Sequence, residues 1–266
     1  MSILLNKCNA MFLSEKEGQN YFLDYKNKGY FIFKNLISKE LLETAYDEIL
    51  NCNSSTKYFD RLNRLRRIEE IYNKGKCLKQ INEINVEFLK LIFKKDLNIF
   101  KDKYNDKPPG GEGFFAHYDG IFLWEDENSN IRKGWHDYAK EFFNCLIPID
   151  TFTVHNGPLE ISKVHKGSFE ELLENTKKDG TPNILEDIEK NLDFEKILIS
   201  PGDVVVFSSM CPHRSSINNS SFGRRSLYFT YNKSEEGDFY NLYFEEKRNS
   251  KNKQSKSLTG ELKSNN

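Results

Sequence analysis

From Ser14 to Lys28 the apolar residues Tyr21, Phe22 and Tyr25 recur at helical spacing, and Gly29 behind them suits a helix C-cap. Tyr30-Phe31-Ile32-Phe33 follows as an unbroken apolar run, the pattern of a buried strand. Ser38 is placed to cap a second helix carrying Leu41, Leu42, Ala45, Tyr46 and Ile49, which ends near the polar run Asn51 to Thr56. Beyond an Arg-rich stretch, Arg61 to Arg67, a third helix is expected from about Ile81 to Tyr104, with Ile84, Phe88, Leu91, Ile92, Ile99 and Phe100 near one face. At Lys107-Pro108-Pro109-Gly110-Gly111 the helical period stops and short aromatic and β-branched runs begin. The strand candidates are Gly113 to Asp119, Glu141 to Ile149, Gly157 to Ile161, Asp203 to Ser208 and Arg224 to Tyr231, with a polar, partly helical insert from Ser168 to Lys196.

Helices first and strands second predict a mainly β fold with flanking helices, built on a double-sheet jelly-roll, cupin-like core. A single domain over 1–246 is expected, helical over about 14–105 and jelly roll over about 111–232. Residues 247–266, rich in Lys, Ser and Asn, read as a disordered tail.

Composition narrows this picture. The 21 Phe and 13 Tyr suit a β-rich interior filled by large flat side chains. With 39 basic against 40 acidic residues the net charge is −1, so no global field favours nucleic acid or an anionic membrane. The apolar run at Ile3-Leu4-Leu5 is too short for a signal-peptide core, and no later stretch approaches the ~18 apolar residues of a membrane span. Cys8, Cys52, Cys77, Cys145 and Cys211 are scattered without Cys-x-x-Cys spacing and read as reduced thiols. The expectation is a cytoplasmic protein that handles a small molecule.

Candidate chemistry starts at His117-Tyr118-Asp119, inside the apolar run Gly113 to Gly120. Side chains alternate along a strand, so His117 and Asp119 would share a face. The strand Val204 to Phe207 leads to Cys211-Pro212-His213, which offers a third ligand at its far end. Two His and one carboxylate with open positions opposite suit non-heme Fe(II), and Zn(II) in a hydrolase could use the same set. Alternation from Arg224 places Arg224, Ser226, Tyr228 and Thr230 on one face. An Arg turned into a sheet interior asks for a bound carboxylate; turned outward it would be a surface ion-pair residue.

Beyond these residues, the opening Phe22-Leu23-Asp24 to Ile37, the Asn156-Gly157-Pro158-Leu159-Glu160-Ile161 turn, the Pro201-Gly202-Asp203 strand and His213-x-Ser215-x-x-Asn218 before Arg224 form a set. With them the chain resembles the phytanoyl-CoA dioxygenase-like branch of the Fe(II)/2-oxoglutarate oxygenases, from near its start to about Arg248. The resemblance implies a double-stranded β-helix, iron on His117, Asp119 and His213, and a 2-oxoglutarate carboxylate held by Arg224 with Ser226 or Ser215. It also implies O2 as oxidant and succinate and CO2 as products. Asp119 stands where halogenating relatives have a small residue, so hydroxylation is expected.

Lys107 to Phe114, Pro212 to Ser215 and Thr230-Tyr231-Asn232 are similar to a bacterial subgroup that includes 2-aminoethylphosphonate hydroxylases. A small polar substrate is therefore expected, with an acyl-CoA or an amino-acid-like molecule as alternatives. Lys107, Tyr118, Trp135, Asn144, Asn156 and Arg214 are candidates for lining its site or supporting the ligands. His155 and His165 are read as structural or as neighbours of ligands, and His136 receives no role.

Overall fold

Ser14 accepts a hydrogen bond from the Glu17 amide while the Glu17 carboxylate accepts one from the Ser14 amide, and this reciprocal cap starts helix α1 (Glu15–Lys28). Gly29 ends the helix in the left-handed region at φ 86°, where a Cβ would lie 2.4 Å from Val164 Cβ and 2.5 Å from Cys211 Sγ. Backbone and packing both demand glycine there. Strand β1 (Tyr30–Phe33) follows, and Ser38 caps helix α2 (Lys39–Leu50) as expected. The computed structural model describes residues 13–52 and 56–249, with the backbone of 256–257, 260–261 and 263–265.

The expected third helix is corrected. Helix α3 runs Lys76–Phe93 and stops at Lys94, which is left-handed at φ 55°. The Arg-rich stretch before it enters two short strands, β2 (Thr56–Phe59) and β3 (Leu65–Glu69). Residues after Lys94 form a long strand, β4 (Leu97–Lys107), paired with β13 (Arg224–Lys233). Their register pairs Lys101 with Thr230 but Ile99 with Tyr231, so Phe100 is an extra, bulged residue. That bulge breaks the period-2 alternation and lets Ile99, Phe100 and Tyr104 imitate a helix face.

The remaining strands are β5 (Phe114–His117), the small hairpin β6 (Trp124–Glu125) and β7 (Ile131–Arg132), β8 (Phe142–Pro148), β9 (Leu159–Ile161), β10 (Glu195–Lys196), β11 (Val204–Ser208) and β12 (His213–Ser215). The insert contributes the short helices α4 (Phe169–Glu174) and α5 (Glu186–Glu189). One sheet runs β1-β11-β8-β13-β4-β3-β2, with 263–265 beyond β2; the other runs β10-β9-β12-β5. The chain winds from β4 in the first sheet to β5 in the second, back to β8, across to β9 and β10, back to β11, across to β12 and back to β13. This antiparallel alternation is a double-stranded β-helix, the jelly-roll core expected from the sequence.

The larger sheet buries both faces. Leu227, Phe229 and Tyr231 point outward into a cluster with Leu42 of α2 and Ile81 and Phe88 of α3. Leu146, Val205 and Phe207 point inward against Leu159 and Ile161 of the smaller sheet. Arg224, Ser226 and Tyr228 alternate with the outward set and face the same interior. Helix α6 (Tyr240–Asn249) buries Tyr240 and Phe244 and carries the chain past residue 246, where the tail was expected to start; most of that tail lies outside the described residues. Cys77, Cys145 and Cys211 are free thiols, Cys52 is buried, and Cys8 lies outside the described residues. Among the described residues no helix is long and apolar enough to cross a membrane.

Helix α3 has no side-chain cap of its own, since its N-cap is Gly75. Glu48 of α2 substitutes: its carboxylate accepts from the Cys77 amide at 2.9 Å and the Leu78 amide at 3.0 Å. A carboxylate at a helix N-terminus also meets the positive end of the dipole. Glu48→Ala is expected to destabilise the fold by about 1–2 kcal/mol, seen as a lower urea midpoint at unchanged slope.

Candidate metal centre

Strand β5 ends at His117, and Asp119 sits on the turn beyond it, its amide donating to the Ser209 carbonyl at 2.9 Å. The expectation that His213 ends the strand Val204 to Phe207 is corrected: a tight turn intervenes, and His213 opens the next strand, β12. There it is the cross-strand partner of His117. The Nδ1 atoms of His117 and His213 lie 2.8 and 3.0 Å from the carbonyl oxygens of Phe115 and Cys211. A carbonyl can only accept, so each Nδ1 carries the proton and each Nε2 presents a lone pair. The rings sit 4.0 Å apart between centroids, and His213 Nε2 is 3.8 Å from Asp119 Oδ2. One donor atom from each of the three residues falls within 4.8 Å of the others, a geometry that can hold one metal ion.

Electrostatics keep the triad in its ligating form. Burial pushes both imidazoles down, His117 to about 3, so they stay neutral. Burial alone would raise the Asp119 carboxyl, but His213, Lys103, His117 and Lys101 more than offset it and hold it below its ordinary value. Asn144 of β8 donates to Asp119 Oδ2 at 3.0 Å, and its own oxygen accepts from Thr230 at 2.7 Å. This chain of bonds fixes the carboxylate's rotamer.

At the far end of the same wall, Arg224 of β13 pairs across with Lys107 of β4, and both are buried, 2 % and 1 % exposed. The Arg224 guanidinium lies over the Phe152 ring at 4.4 Å. Its Nε and Nη1 and the Ser226 hydroxyl have no hydrogen-bond partner among the described residues. Buried donors are rarely left idle, and idle donors on a buried cation fit a carboxylate ligand. Lys107 uses its three N–H groups on Ser215 Oγ at 2.8 Å, Ser216 O at 2.7 Å and Gly157 O at 3.3 Å. Ser215 therefore supports Lys107 and is not itself idle.

Other expected site residues lie elsewhere. Arg214 points away from the interior into ion pairs with Glu160 at 2.9 Å and Glu189 at 2.8 Å. Asn156 accepts from the Thr153 amide and donates to the Thr151 carbonyl, closing a turn. Tyr118 alternates to the opposite side from the triad, where its hydroxyl meets His165 Nδ1 at 2.5 Å. Trp135 packs on Phe100 and under the Lys101 ammonium at 4.8 Å. His136 packs on Phe169, His155 is exposed, and neither joins the triad. Within Arg61 to Arg67, Arg64 and Arg66 are tied to Asp60. Sequence reasoning missed Lys101, Lys103 and Asn105 of β4 and Arg67 and Glu69 of β3, whose inward positions continue the Arg224 wall. The polar alternation 101, 103, 105, 107 was the signal, and the helix reading of that stretch hid it.

Comparison with known proteins agrees with this architecture. A family model for phytanoyl-CoA dioxygenase matches residues 25–226. The chain is 32% identical over 153 residues to a methylphosphonate hydroxylase of Gimesia maris, covering 57% of this chain and 52% of that protein. It is 33% identical over 150 residues to a 2-aminoethylphosphonate dioxygenase of an uncultured bacterium, covering 56% and 51%. The chain thus spans about half the length of the curated relatives it matches. In fold it is similar to EctD from S. alaskensis with 2-oxoglutarate and 5-hydroxyectoine, at TM-score 0.63, 16% identity and coverage of 84% and 77%. It is also similar to the epimerase SnoN in complex with Fe3+, alpha ketoglutarate and nogalamycin RO, at TM-score 0.64, 12% identity and coverage of 83% and 85%. With a family match over most of its length, the chain belongs to the phytanoyl-CoA dioxygenase family.

Proposed function

We propose that the chain is an Fe(II)- and 2-oxoglutarate-dependent dioxygenase that hydroxylates a small phosphonate-type substrate and releases succinate and CO2. One observation carries the reading: a buried His-Asp-His face and a buried Arg with idle donors stand on the walls of one interior. Three ligands on one face suit an ion that must also hold a co-substrate and O2. When bound there, Fe(II) with 2-oxoglutarate and O2 supplies the oxidising chemistry.

The chain's own residues bind, orient and exclude water. His117, Asp119 and His213 hold the ion, and Asn144 keeps Asp119 turned towards it. Arg224 and Ser226 receive the far carboxylate of the co-substrate, with Lys107 alongside. Phe152 and Phe207 are buried beside Arg224 and His213 and keep water from these groups. The methylphosphonate and 2-aminoethylphosphonate enzymes among the relatives support the substrate class. A zinc hydrolase would leave the idle Arg224 donors without a purpose, which favours the oxygenase.

With Fe(II), 2-oxoglutarate and methylphosphonate or 2-aminoethylphosphonate, wild type is expected to form succinate, and His117→Ala and Asp119→Ala to form none above background. Tightly held zinc with hydrolytic turnover, or full activity in either variant, would refute the assignment. Asn144→Ala should retain the ligands yet weaken Fe(II) binding about tenfold to a hundredfold, read from metal titration of turnover. Arg224→Met is expected to raise the KM for 2-oxoglutarate by at least about tenfold, the worth of a lost charge-assisted hydrogen bond.

A further inference from the structure

Lys103 stands apart among the inner-wall cations. It pairs across with Tyr228 on one side and Glu69 on the other, and Arg67 occupies the next inward position of β3, opposite Asn105. Arg67, Lys101, Lys103 and Lys247 gather around the buried Glu69 carboxylate. Glu69 is committed: it accepts from Lys247 and from the Tyr58 hydroxyl, and its other oxygen is 3.6 Å from Arg67. Lys101 is capped by the Trp135 and Tyr243 rings at 4.8 and 5.4 Å. Lys103 is half-buried over the Tyr228 ring at 4.7 Å and has no ion-pair or hydrogen-bond partner among the described residues.

Its place follows from the strands: Tyr228, opposite Lys103, is two residues from Thr230, whose hydroxyl donates to Asn144, the residue that donates to Asp119. Lys103 therefore stands on the metal-centre side of the wall. Along β13, Arg224 lies four residues from Tyr228, roughly 13 Å of backbone, and pairs across with Lys107. The wall thus carries two cationic stations in succession, Lys103 with Arg67 and Arg224 with Lys107.

We propose that Lys103, with Arg67 beside it, anchors the phosphonate oxyanion of the substrate while Arg224 serves the co-substrate, an assignment that rests on the oxygenase reading above. Two neighbouring cations match a dianion better than a single carboxylate does. Burial, with Arg67 and Lys101 nearby, pushes the Lys103 ammonium down to about 7, and a bound anion would relieve that penalty.

The test is titration calorimetry of the full chain, first metal-free with methylphosphonate or acetate, then Fe(II)-loaded under nitrogen with 2-oxoglutarate. Methylphosphonate is expected to bind wild type at least tenfold more tightly than acetate. Lys103→Met should weaken methylphosphonate at least tenfold, Lys103→Arg should restore most of it, and neither should alter 2-oxoglutarate binding. Arg224→Met should show the opposite pattern. Lys103→Met removes a buried charge and should melt no lower than wild type, which separates lost binding from lost folding. Equal methylphosphonate affinity in wild type and Lys103→Met, acetate as tight as methylphosphonate, or no binding to wild type would each overturn the proposal. Absent 2-oxoglutarate binding in wild type with an intact Lys103 contrast would sink the oxygenase reading alone.

Discussion

The cross-strand pair of His117 and His213 carries the site, because neighbouring antiparallel strands lie only about 4.8 Å apart and place opposed side chains in contact. Two imidazoles brought together this way, each with Nδ1 spent on a carbonyl two residues back, can converge their Nε2 atoms on one point. Beyond the pair the register of β12 and β5 slips between His213 and Ser215. The backbones then crowd so closely that a Cβ on Gly113 would lie 2.0 Å from the Ser215 oxygen. Glycine is what allows β5 to reach its partner, and Asp119 completes the face from the turn only because β5 is held in that place.

The larger sheet supplies the other half of the site through its alternation. Its outward residues are apolar and bury the helices, while its inward residues on β4 and β13 are Lys, Asn, Arg, Ser and Tyr. Burying so many donors and cations is unfavourable for folding unless ligands answer them. Burial holds Lys107 down to about 5 and Lys103 to about 7, and an anion bound beside either would favour its charged form. For Lys103 the sign follows directly. An unfolded lysine near its ordinary 10.5 holds a proton that the folded one releases above about 7, so its penalty to the unliganded fold shrinks as pH rises through that window.

Much of this was legible in the sequence, and the misses have physical causes. The caps at Ser38 and Gly29, the apolar runs and the His-x-Asp segment are local signals, and local signals survive into the fold. Arg224 and Ser226 were legible because β13 alternates without interruption from its first residue to Thr230. Strand β4 was not, because the bulge at Phe100 scrambles its period and the preceding helix supplies an apolar face for it to continue. Strand β12 is three residues long, too short to announce itself by periodicity, so His213 looked like the end of β11. Arg214 could not be told from an inward residue until Glu160 on β9 was seen as its cross-strand neighbour.

The C-terminal helix α6 is what keeps the second cationic station charged in the right sense. Glu69 is the cross-strand partner of Lys103, and in isolation the two would neutralise one another on the sheet. Lys247 of α6 instead reaches in to Glu69 on one oxygen while Arg67 approaches the other, and Arg248 ties the same helix to Glu70 at 2.8 Å. The Glu69 carboxyl is buried, which alone would raise it, yet Lys247, Arg67 and Lys101 hold it down to about 2, so it stays an anion engaged with cations other than Lys103. The ammonium on the metal-centre side of the wall keeps no ion-pair partner on its own sheet because a helix from the far end of the chain occupies its cross-strand carboxylate.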